Sequence, residues 1–139
     1  MSYEICLKRI YQKADPSDGT RILVDRLWPR GQRREDLTLH DWYKDASPSS
    51  GLRQCWHRDE LTVDAFAHAY RHQLDEAPQT LLPLMRAARA GRLTLLTASR
   101  EPENSHLSIL RRALLDALEA EDSADCEDVA SPVCYQNQR

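Results

Sequence analysis

The sequence predicts a single α/β domain, with a small sheet of about three or four strands covered by helices. Three observations predict it. Ile22, Leu23 and Val24 form a short unbroken apolar run, suited to a strand covered on both faces, and residues 93–98 form a second strand-like run. Apolar residues recur at helical spacing, first at Leu61, Ala65, Phe66, Ala69, Tyr70 and Leu74, and again at Leu107, Leu110, Leu114 and Leu118. The chain has 139 residues, enough for one domain with a real core.

Residues 3–11 alternate in part and hold Ile5, Leu7 and Ile10, which predicts the first strand. Residues 14–19 read Ala-Asp-Pro-Ser-Asp-Gly, a run of turn formers that predicts a loop. The central strand covers 21–25 and has stopped by Pro29, because proline cannot donate to a sheet ladder. Residues 32–36 are polar and basic, an exposed connection. Thr38-Leu-His-Asp41 reads as a capping box opening a short helix through Lys44. Ser47 before Pro48 reads as the N-cap of another short helix, reaching about His57. An amphipathic helix follows over about residues 60–75, and Pro78 interrupts it. Leu84, Met85 and Ala88 carry the next helix, with Pro83 in its first turn and Gly91 as its stop. After the strand at 93–98, Ser105 caps a last helix whose leucine stripe faces the core. The domain thus covers 1–120, and the acidic, periodless segment 121–139 reads as a poorly ordered tail.

Charge is unevenly spread. The net charge is −3, but seven acids and one base, Arg139, lie from Asp116 onward, leaving 15 acids against 18 Lys and Arg in the body. Sixteen of the 19 bases are arginine, the side chain suited to bidentate recognition of carboxylate or phosphate. No run approaches the roughly 18 apolar residues of a membrane span, and the first residues lack a signal-peptide core, so a cytoplasmic protein without membrane partners is expected. Cys6, Cys55, Cys126 and Cys134 contain no Cys-x-x-Cys pair, which argues against a zinc site, and no metal is expected. A disulfide between Cys126 and Cys134 is one alternative to free thiols. The four glycines form no dinucleotide fingerprint, phosphate-binding loop or nucleophile elbow, so no cofactor is expected.

The densest chemistry follows the central strand, in Leu23-Val-Asp-Arg-Leu-Trp-Pro-Arg-Gly31. With Lys8-Arg9-Ile-Tyr11, Trp42, Lys44, Pro48-Ser49, Leu52-Arg53, His57, Phe66, Tyr70, Leu93-Thr-Leu-Leu96 and His106, this run closely resembles the YeaO-like bacterial proteins of unknown function. The likeness covers residues 3–118 and extends to a broader domain-of-unknown-function group. It implies that the sheet is mostly parallel. A hairpin between the first two strands remains the alternative from loop length alone. Relatives in the broader group often carry a cysteine and a Cys-His-Arg run near the third strand. Here the matching region has Thr97, Ser99 and Ser105-His106-Leu107, so a thiol nucleophile is absent at that place.

If the strands are parallel neighbours, the loops after 25 and 98 open on the same sheet edge, where α/β proteins bind ligands. Asp25 and His106 are then the candidate acid and base, because imidazole titrates near neutrality. His106 also lies in the first turn of its helix, where the dipole favours an anion and lowers the ring's pKa. Arg26, Trp28, Arg30, Arg53, Ser99, Arg100 and His57 are the candidate ligand contacts. Gly31 beside Arg30 would let backbone approach closely. Ser99 with His106 as base would need a third orienting residue that the sequence does not place. The plainer alternatives are that Asp25 pairs with Arg26, Arg53 or Arg100, that Trp28 is a hydrophobic plug, and that His57 caps a helix. Three functions fit: binding of a phosphorylated or nucleotide-like small molecule, a structural or regulatory partner module, and a nucleic-acid-associated protein using Arg26, Arg30, Arg33, Arg34 and Arg53.

Overall fold

The computed structural model describes residues 3–130. Its four strands are β1 (Ile5–Arg9), β2 (Thr20–Leu23), β3 (Asp41–Trp42) and β4 (Leu93–Thr97). They form one sheet in the order β1-β4-β2-β3, and every neighbouring pair is parallel. The hairpin alternative is therefore wrong. β1 and β2 do not touch, since β4 lies between them, and residues 10–19 cross over with a single 3-10 turn, Pro16–Asp18. Among the described residues the sheet is joined by four α-helices: α1 (Ser50–His57), α2 (Val63–Glu76), α3 (Leu82–Ala90) and α4 (His106–Ala130). Among the described residues no helix is long and apolar enough to cross a membrane.

Both sheet faces are covered, by different means. Ile5, Ile22, Val24, Leu93 and Leu95 meet Tyr70 and Leu74 of α2, Leu84 and Met85 of α3, and the Leu107, Leu110, Leu114 and Leu118 stripe of α4. That stripe is fully buried, so the helical periodicity reports core. On the other face Leu23, Leu96 and Ile10 pack beneath Trp28, Leu37, Leu39 and Trp42. This second cover is the loop that leaves β2, together with Trp42 of β3.

Several expected elements move. Residues 38–44 do not form a helix. His40 N–H donates to Arg21 O and Tyr43 N–H to Leu23 O, each at 2.8 Å, so the segment serves the free edge of β2 as β3. The Asp41 carboxylate, expected in a capping box, accepts from the Trp42 amide at 2.9 Å. Helix α1 is capped by Ser49, which accepts from Leu52 N–H at 3.2 Å. Ser47 is buried and instead closes the 3-10 turn Lys44–Ala46, its hydroxyl donating to Lys44 O at 2.5 Å. Helix α4 continues through the start of the segment expected as a tail, because Asp122 and Glu121 receive the Arg89 guanidinium of α3 at 3.0 and 2.7 Å, and Tyr3 donates to Asp122 at 2.6 Å. The rest of that tail, and any Cys126–Cys134 pairing, lie outside the described residues.

At the N-terminal end of the sheet, buried polar groups are matched to one another. Asp18 accepts from Lys8 at 3.1 Å and from Arg21 at 2.5 Å, while Arg21 Nε donates to Thr38 O at 2.6 Å and Thr94 Oγ1 donates to Asp18 O at 2.7 Å. Burial pushes the Asp18 carboxyl up, but the Asp15 amide, Lys8 and Arg21 outweigh it and hold the group below its ordinary range. Gly19 turns the chain into β2 with φ +68°, and a Cβ there would sit 2.2 Å from Arg92 O. Only glycine fits.

Candidate functional site

The parallel register sets Leu23 opposite Leu96, which brings the residues leaving β2 beside those leaving β4. Val24 N–H continues the ladder to Leu96 O at 3.0 Å. Asp25 then lands against the end of β4, where Oδ1 accepts from Thr97 Oγ1 and Oδ2 from the Ala98 amide, both at 2.8 Å. Its backbone carbonyl accepts from the Trp42 indole at 2.8 Å. Asp25 pairs with none of the arginines proposed for it among the described residues. Backbone and hydroxyl donors do that work.

His106, the first residue of α4, reaches back under this turn. Its Nε2 is 2.5 Å from Val24 O and 3.5 Å from Asp25 Oδ1, and its ring stands edge-on to Tyr70 at 6.0 Å. A carbonyl can only accept, so Nε2 carries the proton. Burial pushes the imidazole pKa below its ordinary value, against the opposing pull of Asp25 and the Val24 carbonyl. The ring is thus neutral near pH 7. The direction matches expectation, while the cause is desolvation. Nδ1 has no partner among the described residues.

These two residues form the floor of a cleft of about 1280 Å³ at the C-terminal edge of the sheet, which brings together every sequence-predicted site residue. Several are engaged by the protein itself. Arg26 donates to Pro48 O at 3.4 Å and Ser47 O at 3.3 Å, clasping the approach to α1. Trp28 donates its indole N–H to Gln32 O at 2.7 Å and meets Trp42 edge-on at 5.2 Å, as a plug would. Ser99 is exposed, its carbonyl accepts from Arg9 at 3.1 Å, and no hydrogen bond links it to His106 among the described residues. Gly31 has φ +78°, which the turn requires, and open space around its missing Cβ.

Arg30, Arg53 and Arg100 behave differently. They come from three separate elements, border the cleft, and have no hydrogen-bond or ion-pair partner among the described residues. Arg21, Arg71, Arg89, Arg92 and Arg111, by contrast, each meet a carboxylate. The bordering acids are already engaged: Glu103 by Arg111 at 2.8 Å, and Glu101 by Asn104 at 2.7 Å. Among the described residues no group of three or more His, Cys, Asp or Glu gathers as metal ligands would.

Sequence reading missed the apolar wall. Trp56, Phe66, Val63 and Ile109, from α1, α2 and α4, line the cleft together with Leu27. A signal existed. Arg53, Trp56 and His57 are spaced i, i+3, i+4, so they share one face of α1 and all border the cleft.

Fold and site together define a small parallel α/β protein with an arginine-bordered cleft at the carboxyl ends of its strands. The chain belongs to the DUF488-N3i family, described as the inactive DUF488-N3 subclade, whose model matches residues 4–136. It is 39% identical over 103 residues to the uncharacterized protein YeaO of Escherichia coli, covering 74% of this chain and 90% of that one. An uncharacterized protein of Mycobacterium tuberculosis is 37% identical over 106 residues, covering 76% of this chain and 89% of the relative. No solved structure matches.

Proposed function

We propose that the chain binds a small phosphorylated anion in the cleft and holds it without transforming it. The observation that carries this reading is that Arg30, Arg53 and Arg100 all border one open volume and pair with no carboxylate among the described residues. Guanidinium forks match phosphate oxygens bidentately, and the first turn of α4 adds its positive dipole end at the same edge. Absence of turnover is favoured by Asp25, whose two oxygens are taken by Thr97 and Ala98, and by His106, whose Nε2 is spent on Val24 O. The word inactive in the family description agrees with that. In this reading Asp25 and His106 position the cleft floor. The catalytic alternative rests on the remaining lone pair at His106 Nδ1.

A partner module lacking a small ligand draws on the plug-like Trp28 and the clasp made by Arg26, but the open volume beside them counts against it. A nucleic-acid surface is weakened because Arg26 is held by its own chain and Arg33 meets Glu35.

The test is thermal stability of the full chain with and without ribose 5-phosphate and adenosine 5′-monophosphate. A ligand at about 100 times its dissociation constant stabilises the native state by about 2.7 kcal/mol. That gain should vanish in an Arg30→Ala/Arg100→Ala double variant whose ligand-free stability is unchanged. An undiminished gain in that variant overturns the assignment.

A further inference from the structure

We infer that the cleft's ligand carries a planar aromatic ring joined to its anionic group, and that Trp56 is the ring's docking point. This rests on the anion-binding reading above and names the class of molecule that fits it. Each of the chain's three tryptophans borders the cleft or supports its floor, but they are used differently. The indole N–H groups of Trp28 and Trp42 are bonded to Gln32 O and Asp25 O at 2.7 and 2.8 Å. Trp56 is only half-buried, and its N–H has no acceptor among the described residues. It is a cleft-lining donor without a partner.

Trp56 is also rigidly backed. Phe66 lies 4.8 Å away at 36°, and Phe66 in turn stacks on buried Tyr70 at 6.1 Å and 28°. A ring supported in this way keeps its place while another ring packs on it, which reduces the entropy lost on binding. The mouth repeats the preference. Leu27 and Val63, on different elements lining the cleft, are 56% and 68% exposed, an apolar rim that a bare phosphate or a sugar phosphate leaves wet. Arg53 sits one turn before Trp56 on the same helix face, so an anionic group and a ring meet adjacent side chains. An indole N–H without a protein acceptor among the described residues and two exposed aliphatic side chains thus share the cleft lining with the arginines.

The experiment titrates the full chain with adenosine 5′-monophosphate, phenyl phosphate and ribose 5-phosphate, reading tryptophan fluorescence and thermal shift. At least one ring-bearing phosphate should bind tenfold or more tightly than ribose 5-phosphate and quench the emission. Trp56→Leu should erase that advantage and leave ribose 5-phosphate affinity unchanged, while Trp56→Phe should retain part of it. Arg30→Ala should weaken all three together. Equal affinity for ring-bearing and ring-free phosphates overturns the ring assignment and leaves the anion reading standing. Ring-bearing binding that survives Trp56→Leu undiminished also overturns it. Binding of none of the three overturns both.

Discussion

The two ends of this sheet use the same side chain for opposite ends. At the N-terminal end Arg21 is 3% exposed and bound to Asp18 and Thr38 O, inside a cluster that also takes Lys8. At the C-terminal end Arg30, Arg53 and Arg100 border open volume, with no hydrogen-bond or ion-pair partner among the described residues. The difference is one of acceptors. Where the crossover from β1 delivers a carboxylate and carbonyls, arginine becomes structure. Where the loops leaving β2 and β4 deliver acids already engaged by neighbours, arginine is left without a carboxylate partner among the described residues. An arginine count therefore says little until the acids beside each one are traced.

The comparison breaks most visibly at the closed end. Asp18→Ala strands Arg21 as an uncompensated buried charge, which should cost on the order of 3–5 kcal/mol in urea unfolding. A loss under about 1 kcal/mol would mean that water already reaches the cluster. At the open end, Asp25→Ala leaves the Ala98 amide without its acceptor, a cost of about 1–3 kcal/mol. Asp25→Asn should recover most of it, since an amide oxygen can face Ala98 while its NH₂ faces Thr97 Oγ1. Equal losses in the two variants would point to a role for the negative charge itself.

The His106 ring gives a smaller, pH-dependent effect. Its folded pKa lies below the unfolded value near 6.5, so the unfolded chain takes up a proton first as pH falls. Stability contributed by the neutral ring is complete above about pH 6.5 and declines below it, by at most about 1.4 kcal/mol per pH unit. His106→Gln, which can still donate to Val24 O, should flatten that slope between about pH 6.5 and 5. A slope unchanged by the substitution would assign it to other groups. The smallest effects belong to the cleft arginines. Single Arg30→Ala, Arg53→Ala and Arg100→Ala changes should shift ligand-free stability by no more than about 0.5 kcal/mol, as expected of side chains that hold nothing. A larger loss from any one would move that residue to the structural set.

Much of this was legible in the sequence. Ile22 to Val24 and residues 93–97 announced strands through composition, and Leu107, Leu110, Leu114 and Leu118 announced a buried helix face through spacing. The convergence of Asp25 with His106 followed once those strands were taken as parallel neighbours. What was hidden depended on partners distant in sequence. Thr38 to Asp41 carries every local sign of a helix start, yet the free carbonyls of β2 recruit it as an edge strand. Ser47 loses the capping role to Ser49 because the carbonyls of Ser47 and Pro48 are where Arg26 and Gln73 anchor. Trp56 escaped notice because one aromatic on a short helix resembles core until Phe66 and an open cleft are found beside it.

The placement of β4 has a consequence for how the chain is made. It is an inner strand of the sheet and, among the described residues, the last strand to be synthesised. Until Thr97 has cleared the ribosome, β1 has no neighbour, and β2 has only its two-residue pairing with β3. The sheet cannot grow strand by strand during translation. It closes in one late event, when a single segment inserts between two waiting edges. Until then the apolar faces of α2 and α3 have no sheet to cover, and that exposed apolar surface is what makes a nascent chain prone to aggregate.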